Sequence, residues 1–152
     1  MNEYQRMIMY LKIMMCNLAI LHHNVVGDGW FEAHGELDRW QGDISDYLDD
    51  LIERGIALGY QEPTIAESVL AFQSDVLPAD KRRRDETYKI VMECMRSAAG
   101  LMQASEPIVP TDVQNKLQEI EYYFNKEGNY KLAAALGGMK PGKMPEPDYD
   151  DD

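Results

Sequence analysis

The chain has 152 residues, with fifteen Lys and Arg against twenty-seven Asp and Glu, and a formal net charge of −12. That length fits one domain with a sizeable core, and the charge argues against unaided nucleic-acid binding, because phosphate backbones attract clustered Lys and Arg. No apolar run is long enough to span a bilayer, and Glu3, Arg6 and Lys12 interrupt the pattern where a signal peptide would sit, so a cytoplasmic protein is expected.

Residues 2–25 carry Met7, Leu11, Met14, Leu18 and Leu21 at steps of three and four, the stripe of an amphipathic helix. Gly27-Asp28-Gly29 ends it, with Asp28 the expected N-cap of the next helix. That second helix, over 29–58, repeats Trp30, Leu37, Ile44, Leu48 and Leu51 and stops at Gly59. The connection over 59–79 is long enough to need structure of its own. Within it, Thr64-Ile65-Ala66-Glu67 after Pro63 is a capping box that predicts a short helix.

A third helix, over 80–104, carries Tyr88, Val91, Met95, Ala98 and Met102, and Pro107 and Pro110 close it. Lys81-Arg82-Arg83-Arg84 is expected as its solvated first turn, set against the helix dipole. Thr111-Asp112-Val113-Gln114 has the form of a second capping box and opens a fourth helix with Val113, Leu117, Ile120 and Phe124. Gly128 interrupts that helix at a cost of roughly 1 kcal/mol relative to Ala, and Gly137-Gly138 ends it. The ten methionines are expected as core packing, and Trp40 in the core or an interface. Cys16 and Cys94 fit no ligand spacing and are expected as buried thiols in a reducing compartment.

Two short turns and one long crossover give an all-α fold, a ferritin-like four-helix bundle whose crossover contains a short extra helix. It covers residues 1–138. Residues 139–152 set Glu146, Asp148, Asp150, Asp151 and Asp152 against Lys140 and Lys143, an acidic tail expected to be disordered.

All three histidines, His22, His23 and His34, fall within thirteen residues, and acids follow at helical spacing: His34 and Asp38 are four apart, as are Asp49 and Glu53. Imidazole with carboxylate is the ligand mix of iron, zinc and manganese. Each pair shares one helix face. Asp38 and Asp49 lie eleven residues apart, roughly 16 Å along a helix axis, so no single metal touches both pairs within one chain. His22 lies five residues before Gly27 and His34 five after Gly29, so the two come level in an antiparallel hairpin, with Asp38 beside them. A twofold axis near residues 43–44, where Gly42 and Ser45 are small, would set Asp49 and Glu53 of one chain opposite His22, His34 and Asp38 of another.

The run His22-His23-Asn24-Val25-Val26-Gly27, followed by Trp30-Phe31, His34, Asp38, Asp49 and Glu53-Arg54, resembles the Dps-type mini-ferritins, and all five ligand positions align without a gap. The resemblance implies a ferroxidase in a homo-oligomeric hollow shell of twelve subunits. Fe(II) would be oxidised by hydrogen peroxide in preference to dioxygen, at di-iron sites on twofold interfaces built from His22, His34, Asp38, Asp49 and Glu53. Fe(III) would be stored in the cavity, protecting against oxidative damage. Arg54 is expected in an interface ion pair.

The chain departs from the family in three ways. His23 stands where the family usually has Trp, and is expected in hydrogen bonding beside the site or at an interface. The fourth helix opens with Asp112, Lys116, Glu119 and Glu121, in place of a plainly acidic pore. The lysine-rich tail that holds DNA in many members is absent. Two alternatives stand beside the ferroxidase: a non-catalytic shell or DNA-compacting protein, and a site holding zinc or manganese.

Overall fold

The computed structural model describes residues 1–137; the expected acidic tail lies outside the described residues. Helices α1 (Glu3–Asn24) and α2 (Trp30–Ala57) form a hairpin, and α3 (Ile65–Ala71) sits in the crossover before a 3-10 turn at Gln73–Asp75. Helix α4 (Arg84–Ser105) leads through a second 3-10 turn, Glu106–Ile108, into α5 (Thr111–Phe124). The last helix continues as a π-helix over Asn125–Leu132 and ends in α6 (Ala133–Ala135). The long helices form a four-helix bundle, with α1 packed on α2 and α4, and α4 on α5.

The core is the set of stripes that helical periodicity brings to one side. Met7, Leu11, Met14, Leu18 and Leu21 of α1 meet Leu37, Ile44 and Leu51 of α2, Val91, Met95 and Met102 of α4, and Leu117, Ile120 and Phe124 of α5. Met9 and Met92 are buried too, Met15 is half-buried and Met1 is exposed; Met139 and Met144 lie outside the described residues. Tyr4 closes one end, where Gly55 permits contact: a Cβ there would stand 2.8 Å from the Tyr4 ring.

Helix ends and a few side chains differ from the sequence expectations. The Thr64–Glu67 capping box forms with both reciprocal bonds. The N-cap of α2 is Gly29 and not Asp28. Gly27 and Gly29 both adopt left-handed conformations, φ +87° and +77°, so the turn closes through its own main chain, with Trp30 N–H donating to Gly27 O. Thr111 is already helical, Pro110 occupies the cap position, and Gln114 instead donates to Glu106 O.

Lys81–Arg84 is not a solvated first turn either. Helix α4 begins at Arg84, and Arg82 is buried because its main chain pairs with the end of α1: Val26 N–H donates to Arg82 O at 2.9 Å and Arg82 N–H to Asn24 O at 3.2 Å. The Arg82 guanidinium is satisfied by the carbonyls of Pro78 and Asp80. Trp30 is 38% exposed, outside the core stripe. Cys16 is exposed and Cys94 half-buried, so neither is a fully buried thiol; burial pushes the Cys94 thiol up to about 11.

Gly128 does not break the last helix but lets it widen. A Cβ there would lie 3.0 Å from Met95 Cβ, so α4 and the π-helix approach closely, and the wide turn buries Glu127 beside Gly128. Glu127 is 2% exposed and accepts from Arg39 of α2 at 2.7 Å and from Lys131 at 3.4 Å. Burial alone would raise this carboxyl, but the Arg39 hydrogen bond and charge, with Lys131, outweigh it and hold it below the ordinary glutamate range. A depressed folded-state pKa contributes stability that is present above the unfolded value and lost as pH falls through the folded one. Glu127→Gln is therefore expected to lower urea stability at pH 7 by about 1–3 kcal/mol, measured at fixed protein concentration. The gap to wild type should close with acidification; a gap that stays constant to acid pH would show that the charge contributes nothing.

Candidate metal centre

His22 occupies the last turn of α1 and His34 the second turn of α2. The glycine turn brings them level, with ring centroids 4.0 Å apart and planes at 36°. Nε2 of His22 is buried and has no hydrogen-bond partner among the described residues. Burial lowers the proton affinity of His22, the neighbouring His34 and His23 lower it further, and Asp38 opposes them. The imidazole is thus biased to the neutral form, the one that carries a lone pair for a metal.

The carboxylates are arranged differently. Asp38 is exposed, one turn beyond His34, close enough to act on His22 electrostatically. Asp49 and Glu53 are exposed on the far half of α2. Among the described residues no ion pair engages Asp38, Asp49 or Glu53, whereas Asp43 and Asp50 on the same helix are engaged by Arg39, Arg54 and Lys116. Within one chain, and among the described residues, no three His, Cys, Asp or Glu side chains converge closely enough to hold a metal ion. The structure therefore brings His22 and His34 together, leaves Asp38 at their margin, and keeps Asp49 and Glu53 away.

Trp30 is a feature of the site that periodicity assigned elsewhere. Its ring stacks on His34 at 4.4 Å and 22°. The signal was present in the four-residue spacing of Trp30 and His34, which puts both on one face. His23 is exposed, with its ring 5.6 Å from His22. Trp40 is in the core, edge-on to Tyr88 at 5.8 Å. Arg54 is 53% exposed by side chain and faces Asp50 of its own helix at 3.6 Å. Lys116 of α5 sits between Asp50 and Glu119, so its charge is matched locally.

Four long helices, one crossover and a short helix within it define the ferritin-like bundle of the Dps proteins, and the chain has that fold. The solved structures it is similar to include antigen TpF1 from Treponema pallidum, at TM-score 0.81 and 16% identity over 88% of both chains. Dps from Mycobacterium smegmatis matches at TM-score 0.80 and 16% identity, over 94% of this chain and 87% of that one. Dps from Staphylococcus aureus matches at 0.78 and 16%, over 88% and 92%. No protein-family model and no curated protein sequence matches the chain.

The Trp30–His34 stack gives the centre an optical reporter. Cobalt(II) bound at His34 is expected to quench the fluorescence of Trp30. The response should vanish in Trp30→Phe and survive in Trp40→Phe, measured by titration with cobalt chloride. Quenching that survives in Trp30→Phe would place the metal elsewhere.

Proposed function

We propose that the chain is a ferroxidase and iron store, a homo-oligomeric shell of twelve subunits that oxidises Fe(II) at inter-subunit sites and holds Fe(III) inside. The observation that carries this reading is the buried, unpartnered Nε2 of His22 beside His34. A buried nitrogen left without a partner costs about 1–3 kcal/mol, and a metal ion is the partner that the surrounding residue types favour. The likeness in fold to Dps proteins supports the assembly. The residues 42–45 suit a close crossing of two α2 helices: Gly42 has no atoms within 4 Å of a built Cβ, and Gly42 and Ser45 are both exposed.

In this reading His22, His34 and Asp38 of one chain face Asp49 and Glu53 of another. The five ligands bring two neutral imidazoles and three negative charges, so two Fe(II) ions enter a strongly attractive site, and Fe(III) is favoured more. Each iron gives one electron to hydrogen peroxide; the O–O bond breaks, two protons are taken up and two waters form. Pairing the electrons avoids releasing hydroxyl radical. Dioxygen is the slower oxidant. The anionic chain draws cations toward the site.

The test is stopped-flow Fe(II) oxidation under anaerobic peroxide, with particle mass checked. Wild type is expected to be fast, and His22→Ala and Asp49→Ala to fall to the protein-free rate. Random mixing of the two inactive variants should restore about a quarter of the sites, because in half of the twofold pairs one site carries both lesions and the other is intact. No recovery in particles whose mass shows both variants present would overturn a site shared in this way between two chains. Metal bound without oxidation would point to a zinc or manganese site, and neither binding nor oxidation to a non-catalytic shell.

A further inference from the structure

In a chain of net charge −12, Lys81 to Arg84 are four consecutive cations. Their backbone is anchored by the pairing of Arg82 with the end of α1. Arg83 lies over the α1–α2 turn, with Nη1 2.8 Å from where a Gly27 Cβ would stand, and Arg84 Cδ is equally close, 2.8 Å, to a Cβ built on Gly29. Both arginines line an open cleft of about 280 Å³ with Asp28, Gly29 and Asp85. Arg84 is matched by Asp85 at 3.1 Å and Glu32 at 3.2 Å. Lys81 and Arg83 have no ion-pair partner among the described residues. Arg83 is also the N-cap of α4 and supplies no side-chain cap, so the unsatisfied amides and the dipole of that helix add to the positive potential.

The path of the chain leads to the same place. Ala135 lines a cleft with Glu32 and Tyr88, and Glu32 holds Arg84. Ala135, two residues before the end of the described chain, thus shares a cleft with the carboxylate that pairs with Arg84. Beyond it the sequence has no cation after Lys143 and carries Glu146, Asp148, Asp150, Asp151 and Asp152. Glu146 lies nine positions beyond Gly137, a reach of roughly 30 Å when extended.

We propose that the acidic segment 146–152, from its own chain or a neighbouring copy, docks on the basic run Lys81–Arg84 beside the cleft that Arg83 and Arg84 line. The docked acids cancel a local positive charge that would otherwise draw phosphate polymers. This does not rest on the ferroxidase reading. The test is zero-length carbodiimide crosslinking of the full-length protein at low salt, with the Lys81 adducts mapped by mass spectrometry. Lys81 is expected to join Glu146 or the aspartates of 148–152. The yield should fall several-fold in Arg83→Glu, and again in wild type at high salt, where exposed charges are screened beyond about 3 Å at 1 M. Arg83→Ala, which removes the charge without reversing it, serves if Arg83→Glu fails to assemble. Lys81 joined instead to Asp28, Asp85 or the bundle of another copy would overturn the proposal. So would a tail adduct whose yield is unchanged in the Arg83 variants, since that would be chance encounter of a tethered segment.

Discussion

The register between α1 and α2 is the constraint on which the candidate centre depends, and a few main-chain contacts set it. Gly27 and Gly29 both take the left-handed conformation, which only glycine adopts without strain. The reversal they make is short enough to leave His22 and His34 level, one near the end of its helix and the other near the start. The second element is Arg82, whose main chain bonds to Asn24 and Val26 on the outer side of the turn. The hairpin is thus held from within by glycine geometry and from without by the returning crossover. A shift of one residue on either helix would rotate one imidazole by about 100° away from the other.

Helix geometry then dictates that the five candidate ligands cannot serve one chain alone. The rise between Asp38 and Asp49 is fixed by the hydrogen-bonded backbone of α2 and cannot be closed by side-chain rotation. Among the described residues the chain accordingly has an imidazole pair at one level and an unpaired carboxylate pair at another. On the proposed reading an isologous contact joins the two halves, and assembly and chemistry become one event. A shell that forms sites only at its interfaces would hold no oxidation site on a free subunit, which suits a protein whose substrate generates radicals when oxidised in the open.

How much of this was legible in the sequence depends on how local each feature is. The core stripes of all four long helices could be read because periodicity within a helix reports which face is apolar, and the Thr64–Glu67 box because its atoms lie three residues apart. The level of His22 and His34 followed from counting to the glycines. Arg82 could not be read so: four basic residues before a helix look like solvent, and only pairing with a segment distant in sequence makes one of them an interior residue. The caps at Asp28 and Thr111 failed for a related reason, since main-chain closure of a turn and a preceding proline pre-empted the side chains. Trp30 misled because an aromatic at a helix start fits an apolar stripe and also fits a stack on the residue four positions later; tertiary geometry chose the stack.

The π-helix shows how the bundle accommodates a charge. In the π-helix Glu127 and Gly128 are buried side by side, Gly128 against Met95 and Glu127 against Arg39. The arrangement carries a risk, because a buried carboxylate without its guanidinium is strongly destabilising. Arg39 is secured against that by Glu36 and Asp43 of its own helix, and Asp43 also accepts the Tyr123 hydroxyl at 2.8 Å. The same stretch of α2 that presents His34 and Asp38 therefore turns Arg39 toward Glu127 of the π-helix, and Asp43 toward Tyr123 of α5. Alternate faces of one helix hold the bundle together and present the candidate ligands, so the rigidity of the first supplies the positional accuracy that the second requires.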